Sequence, residues 1–123
     1  MTGLPYRNGV RTITAVSNDR VETVTSTASR MSNYGKTLLN KNSTAAKTFI
    51  LEAPVPGVRK VIVQTSTSTF VNTINGPTTT VLFSNTTPGN TALAFDTVGD
   101  LIELEGRTNL IWDVVYVNSV SLS

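Results

Sequence analysis

The chain has 123 residues, no cysteine, no histidine, and a net charge of +2 from only 15% charged residues. Without cysteine there is no disulfide, thiolate metal site or thiol nucleophile; without histidine the commonest general base, metal ligand and physiological pH switch are gone. A chain this long makes one domain with a modest core, and a composition led by Thr, Ser and Asn favours strands and turns over helices.

The small net charge hides an uneven layout. Residues 1–60 carry nine basic and three acidic side chains, and residues 61–123 carry one basic and five acidic. A basic first half can dock on an acidic partner, or on the acidic half of another copy. No apolar run approaches the roughly 20 residues that span a bilayer, so no membrane role is expected. The first residues, MTGLPYRNGVR, lack the apolar core of a signal peptide, and secretion by that route is not expected.

Taken in order, residues 1–9 read as an irregular arm with Leu4 and Tyr6 as anchors, Pro5 as a stiffener and Asn8-Gly9 as a turn. Residues 10–16 (VRTITAV) alternate as a strand. Residues 21–27 (VETVTST) form a second, mostly polar strand suited to a sheet edge. Residues 26–47 hold no sustained period. Met31, Tyr34, Leu38 and Leu39 are their only large apolar groups, and Ser32, Asn33 and Gly35 oppose a helix. The segment reads as an extended loop carrying Arg30, Lys36, Lys41 and Lys47, of the kind that orders against a partner.

Strand signals then become regular. Residues 48–51 begin a strand that stops at Ala53-Pro54-Val55-Pro56-Gly57. Residues 58–65 (VRKVIVQT) follow, with Arg59 and Lys60 as solvent-facing charges. Residues 70–74 and 78–84 pair as a hairpin around Asn75-Gly76-Pro77, and residues 91–96 add another strand after a Pro-Gly turn. The last quarter reads as a three-stranded meander: residues 100–105, the loop Gly106-Arg107-Thr108-Asn109, residues 110–117, a turn at Asn118, and residues 119–123. Its core side is Ile102 and Leu104 from one strand and Leu110, Trp112, Val114 and Tyr116 from the next. The fold expected is a single-domain all-β sandwich or barrel of about 7–9 short strands. Residues 1–47 supply an N-terminal arm, edge strands and a basic loop, and residues 48–123 supply the core.

Catalytic chemistry finds no foothold. There is no Ser-x-x-Lys or Gly-x-Ser-x-Gly stretch. Glu103 and Glu105 share a strand face beside a turn, which suits solvated charges better than an acid–base pair. Basic residues and aromatics are not interleaved as a nucleic-acid surface requires. No enzyme activity, catalytic residue, metal or other cofactor is expected.

A family resemblance enters at Gly99-Asp100-x-Ile102-x-Leu104-x-Gly106, Trp112-x-Val114 and Val120-x-Leu122, together with the upstream run Leu51-Glu52-Ala53-Pro54-Val55-Pro56-Gly57-Val58-Arg59-Lys60. Over residues 48–123 the chain resembles small virion structural proteins of tailed bacteriophages, of the head decoration (cement) type. The resemblance implies a β-rich, non-enzymatic virion protein, assembled in the host cytoplasm and often trimeric. Such a protein binds the outside of the capsid and clamps neighbouring copies of the major capsid protein. The basic first segment is then the expected partner-binding surface: Arg7, Arg11, Arg30, Tyr34, Lys36, Lys41 and Lys47. The alternative expectation is a tail, fibre or receptor-binding β-domain that stacks a glycan on Trp112 and Tyr116.

Overall fold

A computed structural model describes residues 20–26, 30–86 and 89–123. Within them the chain forms eleven strands and no helix. The strands are β1 (Val21–Val24), β2 (Arg30–Met31), β3 (Gly35–Leu39), β4 (Lys47–Leu51), β5 (Arg59–Gln64), β6 (Asn72–Asn75), β7 (Leu82–Ser84), β8 (Ala92–Phe95), β9 (Leu101–Gly106), β10 (Ile111–Asn118) and β11 (Ser121–Leu122). They make two mixed sheets, ordered β1-β3-β5-β9-β10-β7 and β11-β8-β6-β4-β2. The fold is all-β, as composition and strand spacing predict.

The first six strands alternate between the sheets. β1, β3 and β5 lie parallel in one sheet, and β2, β4 and β6 lie parallel in the other. Parallel neighbours cannot be joined by a hairpin and need a crossover. Each crossover here passes through a strand of the opposite sheet, so the chain winds in three flat coils. Antiparallel pairs join β9 to β5 and β10, and β8 to β6 and β11, and β7 ends the larger sheet parallel to β10. The winding gives the molecule two ends. Residues 40–46 and 65–71 cross between the sheets at one end, and residues 32–34, 52–58 and 107–110 turn at the other.

Alternation along the strands decides what goes inside. Val24, Leu39, Ile62, Phe83, Ile102, Leu104 and Trp112 from the six-stranded sheet meet Met31, Phe49, Leu51, Ile74, Leu93 and Phe95 from the five-stranded sheet. Burying each large side chain stabilises by about 1.5–3 kcal/mol. Backbone also comes close. Gly35 starts β3 at φ 73° against the Arg20 carbonyl, and Gly106 ends β9 against the Val55 backbone.

Four expectations are corrected. Residues 30–39 are not part of a loop: β2 and β3 lie within the sheets, and β3 is flanked by β1 and β5. Their signal is weak because β2 is two residues long and β3 turns Gly35, Thr37 and Leu39 inward, only one of them large and apolar. Residues 70–84 are not a hairpin, since β6 pairs with β4 and β8 while β7 pairs with β10 in the other sheet. The closing meander has only one antiparallel pair, β9 with β10. After Ser119, at φ 64°, the chain crosses to the other sheet and β11 joins β8. Finally, Leu110 and Tyr116 are exposed rather than core. Leu110 precedes β10. A register shift between Val114 and Tyr116 turns Tyr116 outward and lets Val117 pack on the core in its place.

Candidate interaction surface

Arg20, Arg30, Arg59 and Arg107 each pair with a carboxylate: Glu22, Glu52, Glu103 with Glu105, and Asp113 respectively. The Arg59 ladder bonds Glu103 at 2.6 Å and Glu105 at 3.0 Å, so the two carboxylates act as a structural clamp across β5 and β9. These pairs lie at the surface, where water screens them and weakens their contribution. The described lysines on the surface differ. Lys36, Lys41 and Lys47 have no acidic partner among the described residues.

The expected partner-binding residues do not form one patch. Arg7 and Arg11 lie outside the described residues. Arg30 is on β2, bonded to Glu52 at 3.0 Å. Tyr34 receives a hydrogen bond from Arg20 at 3.0 Å, and the guanidinium lies 5.6 Å from its ring centroid, within cation–π range. Lys36 is exposed on the outer face of β3. Lys41 and Lys47 do come together at the crossover end. The Lys41 carbonyl accepts a bond from Asn72 at 3.1 Å, and the Lys47 amide donates to Val71 at 3.2 Å. Beside them Phe70 and Val71 are exposed. Sequence reading missed Phe70 because a Ser/Thr-rich stretch ahead of an alternating run looks like a strand beginning to bury its aromatic.

The crossover end is held by a buried polar knot. Asn72 donates to Gln64 at 3.2 Å and accepts from Ser43 at 2.5 Å, and Gln64 donates to the Ser66 carbonyl at 3.1 Å. These bonds fix the loops that carry Lys41 and Phe70, so the surface is presented on a braced frame.

The opposite end holds the most unusual group. Lys60 is fully buried, not solvent-facing as its place beside Arg59 suggests; in a strand one of two neighbours must turn inward. Its Nζ donates to Thr37 Oγ1 at 2.6 Å and to the Tyr34 carbonyl at 3.2 Å, and it lies 3.5 Å from Glu22 Oε2. Burial lowers its pKa to about 8, against the opposing pull of Glu22. Burial also disfavours the Glu22 charge, but hydrogen bonds from Thr37 and Ser32, with Lys60 and Arg20 nearby, bring its pKa below the usual value.

A lysine of lowered pKa can serve as a nucleophile only where a substrate reaches it. Lys60 lines neither of two recesses formed by the described residues. The larger, about 370 Å³, is bordered by Asn85, Thr86, Asn90, Val117, Val120 and Leu122; the smaller, about 190 Å³, by residues 75–79 and Thr91. Among the described residues no group of three acidic side chains is placed to hold a metal. Trp112 is fully buried, so no stacking platform on that ring reaches the surface. No protein-family model and no curated protein matches the chain.

Proposed function

We propose that this is a non-enzymatic structural protein of a tailed-phage virion, of the decoration type, which binds the outside of an assembled capsid and stabilises it. The observation that supports this most is the crossover end. There Lys41 and Lys47, without acidic partners among the described residues, flank the exposed Phe70 and Val71 on loops tied down by Ser43, Asn72 and Gln64. An apolar centre with a charged surround suits a protein interface. The cations fit an acidic surface of the major capsid protein. Resemblance over residues 48–123 points the same way.

The test is addition of the purified protein to heads stripped of surface proteins. Bound protein should raise the temperature at which the heads release their contents, and Lys41→Glu/Lys47→Glu should abolish binding while leaving the fold intact. No binding at micromolar protein overturns the reading.

A further inference from the structure

We infer that the outer face of the six-stranded sheet is a twofold interface with a second copy of this chain. The registers of β1, β3, β5, β9 and β10 place two rows of outward side chains across this face. One row runs Val21, Lys36, Val61, Glu103, Tyr116. The next runs Thr23, Leu38, Val63, Leu101, Asn118. Both rows are self-complementary about β5, the first with opposite charges at equivalent positions. The first reads apolar, cation, apolar, anion, apolar; the second reads polar, three apolar, polar.

Face-to-face stacking about a twofold axis along β5 sets β3 of one copy over β9 of the other, and β1 over β10. Lys36 then meets Glu103 of the second copy, Leu38 meets Leu101, Val21 meets Tyr116, and Val61 and Val63 meet their own equivalents. An isologous contact demands this self-complementarity. Stacked sheets cross at about 30°, which turns the axis about 15° from the β5 direction and displaces a residue one strand (about 4.8 Å) from it by roughly 2.5 Å, within the reach of a lysine side chain.

The side chains present what such a contact uses. Val21 and Tyr116 are 59% and 56% exposed, and Leu38, Val61, Val63 and Leu101 between them are half-buried by their own neighbours. Lys36 has no acidic partner among the described residues of its own copy. Glu103 is held on one side by Arg59, which leaves it able to accept a second cation. Arg59 lies on β5 and approaches its own equivalent, with its charge already met by Glu103 and Glu105. Two rows deep and about 19 Å across, the face is smaller than a standard interface of about 800 Å² per partner, so association in the range of roughly 10–100 µM is expected.

Sedimentation equilibrium of the full chain from about 5 to about 500 µM tests this. The wild type should fit a monomer–dimer equilibrium. Lys36→Glu and Glu103→Lys should each weaken it at least tenfold, because each sets like charges opposite one another twice. An equimolar mixture of the two variants should recover a 1:1 dimer, since both contacts then join Lys to Glu. Circular dichroism reports whether each variant is folded. If Glu103→Lys does not fold, Val61→Gln replaces it, and loss of the dimer is again expected. A wild type that stays monomeric at the top concentration or sediments as a trimer overturns the proposal. So does a mixture of folded variants that does not pair, or a Val61→Gln chain that still dimerises.

Discussion

Lys60 on β5 and Glu22 on β1 are two strands apart, yet their charges lie 3.5 Å from each other, with Thr37 on the intervening β3 bonded to both. The edge strand β1 is thereby fastened to the sheet by side chains as well as by its ladder. Because burial lowers the Lys60 pKa from 10.5 to about 8, the folded chain gives up this proton before the unfolded chain does. Between those pH values the unfolded state binds more protons, so stability rises with pH, by about 3 kcal/mol for this one group. That gain is complete above pH 10.5 and is lost as pH falls through 8. Urea unfolding of wild type and Lys60→Met across this window should give a difference that grows with pH. A flat difference would mean that the ammonium is hydrated in the folded state.

Glu22 acts in the opposite pH range. Its pKa is lowered by Thr37, Ser32, Lys60 and Arg20 despite the cost of burial, so its contribution is present above the ordinary value of 4.5 and is lost as pH falls below it. Glu22→Gln should flatten the acid limb of the stability curve. At neutral pH it should also cost up to about 3 kcal/mol, because it leaves the buried Lys60 ammonium without a counter-charge. Adding Lys60→Met should return a large part of that loss. A double-mutant cycle read by urea midpoints checks both statements, and strict additivity would show that the two groups do not couple.

Which parts of this arrangement were readable beforehand follows from where the chain places its polar groups. β9 and the first half of β10 declare themselves, since Ile102, Leu104 and Trp112 recur at period two and all are buried. β3 does not, because a strand that sends Gly35 and Thr37 inward carries no hydrophobic alternation. Thr37 is tolerated there only because Lys60 and Glu22, distant in sequence, supply its partners. Tyr116 fails for a different reason. Its spacing from Trp112 is correct for an inward residue, and a single-residue bulge reverses it. The coil winding was hidden too. Strand spacing cannot tell a hairpin from a crossover into the facing sheet when both take a short turn. On the interaction surface, the lysine-rich composition of residues 36–47 was visible, but not that Lys36 lies on a sheet face while Lys41 and Lys47 lie at the crossover end.

Gly106 is a sharp probe of the packing between β9 and the segment before β5. Its amide donates to the Val58 carbonyl at 3.0 Å and its carbonyl accepts from Gly57 at 2.8 Å, drawing the Val55 backbone onto its Cα. Replacing a strand glycine by alanine at an unhindered site stabilises by about 0.4–1 kcal/mol through the unfolded state. Here the new methyl would strike the Val55 carbonyl, which cannot rotate away as a side chain could. Gly106→Ala should therefore destabilise, by about 1–3 kcal/mol, and lower the thermal midpoint. A midpoint at or above that of the wild type would show that the 52–58 segment yields easily.

Trp112 separates packing from polar satisfaction. It is among the largest buried side chains, and its indole N–H has no hydrogen-bond partner among the described residues. Trp112→Ala opens a cavity among the core side chains and should cost about 3–5 kcal/mol. Trp112→Phe keeps most of the ring volume and removes a buried donor that gains nothing by being there, so it should cost less than about 1.5 kcal/mol. Thermal and urea unfolding of the two variants measure the contrast. Any loss of ligand binding in Trp112→Ala should parallel its unfolding and be absent in Trp112→Phe, because the ring is reached only by opening the sandwich. Equal destabilisation by the two substitutions would mean that the indole nitrogen is hydrogen-bonded in solution and that its bond, rather than ring volume, holds this part of the core.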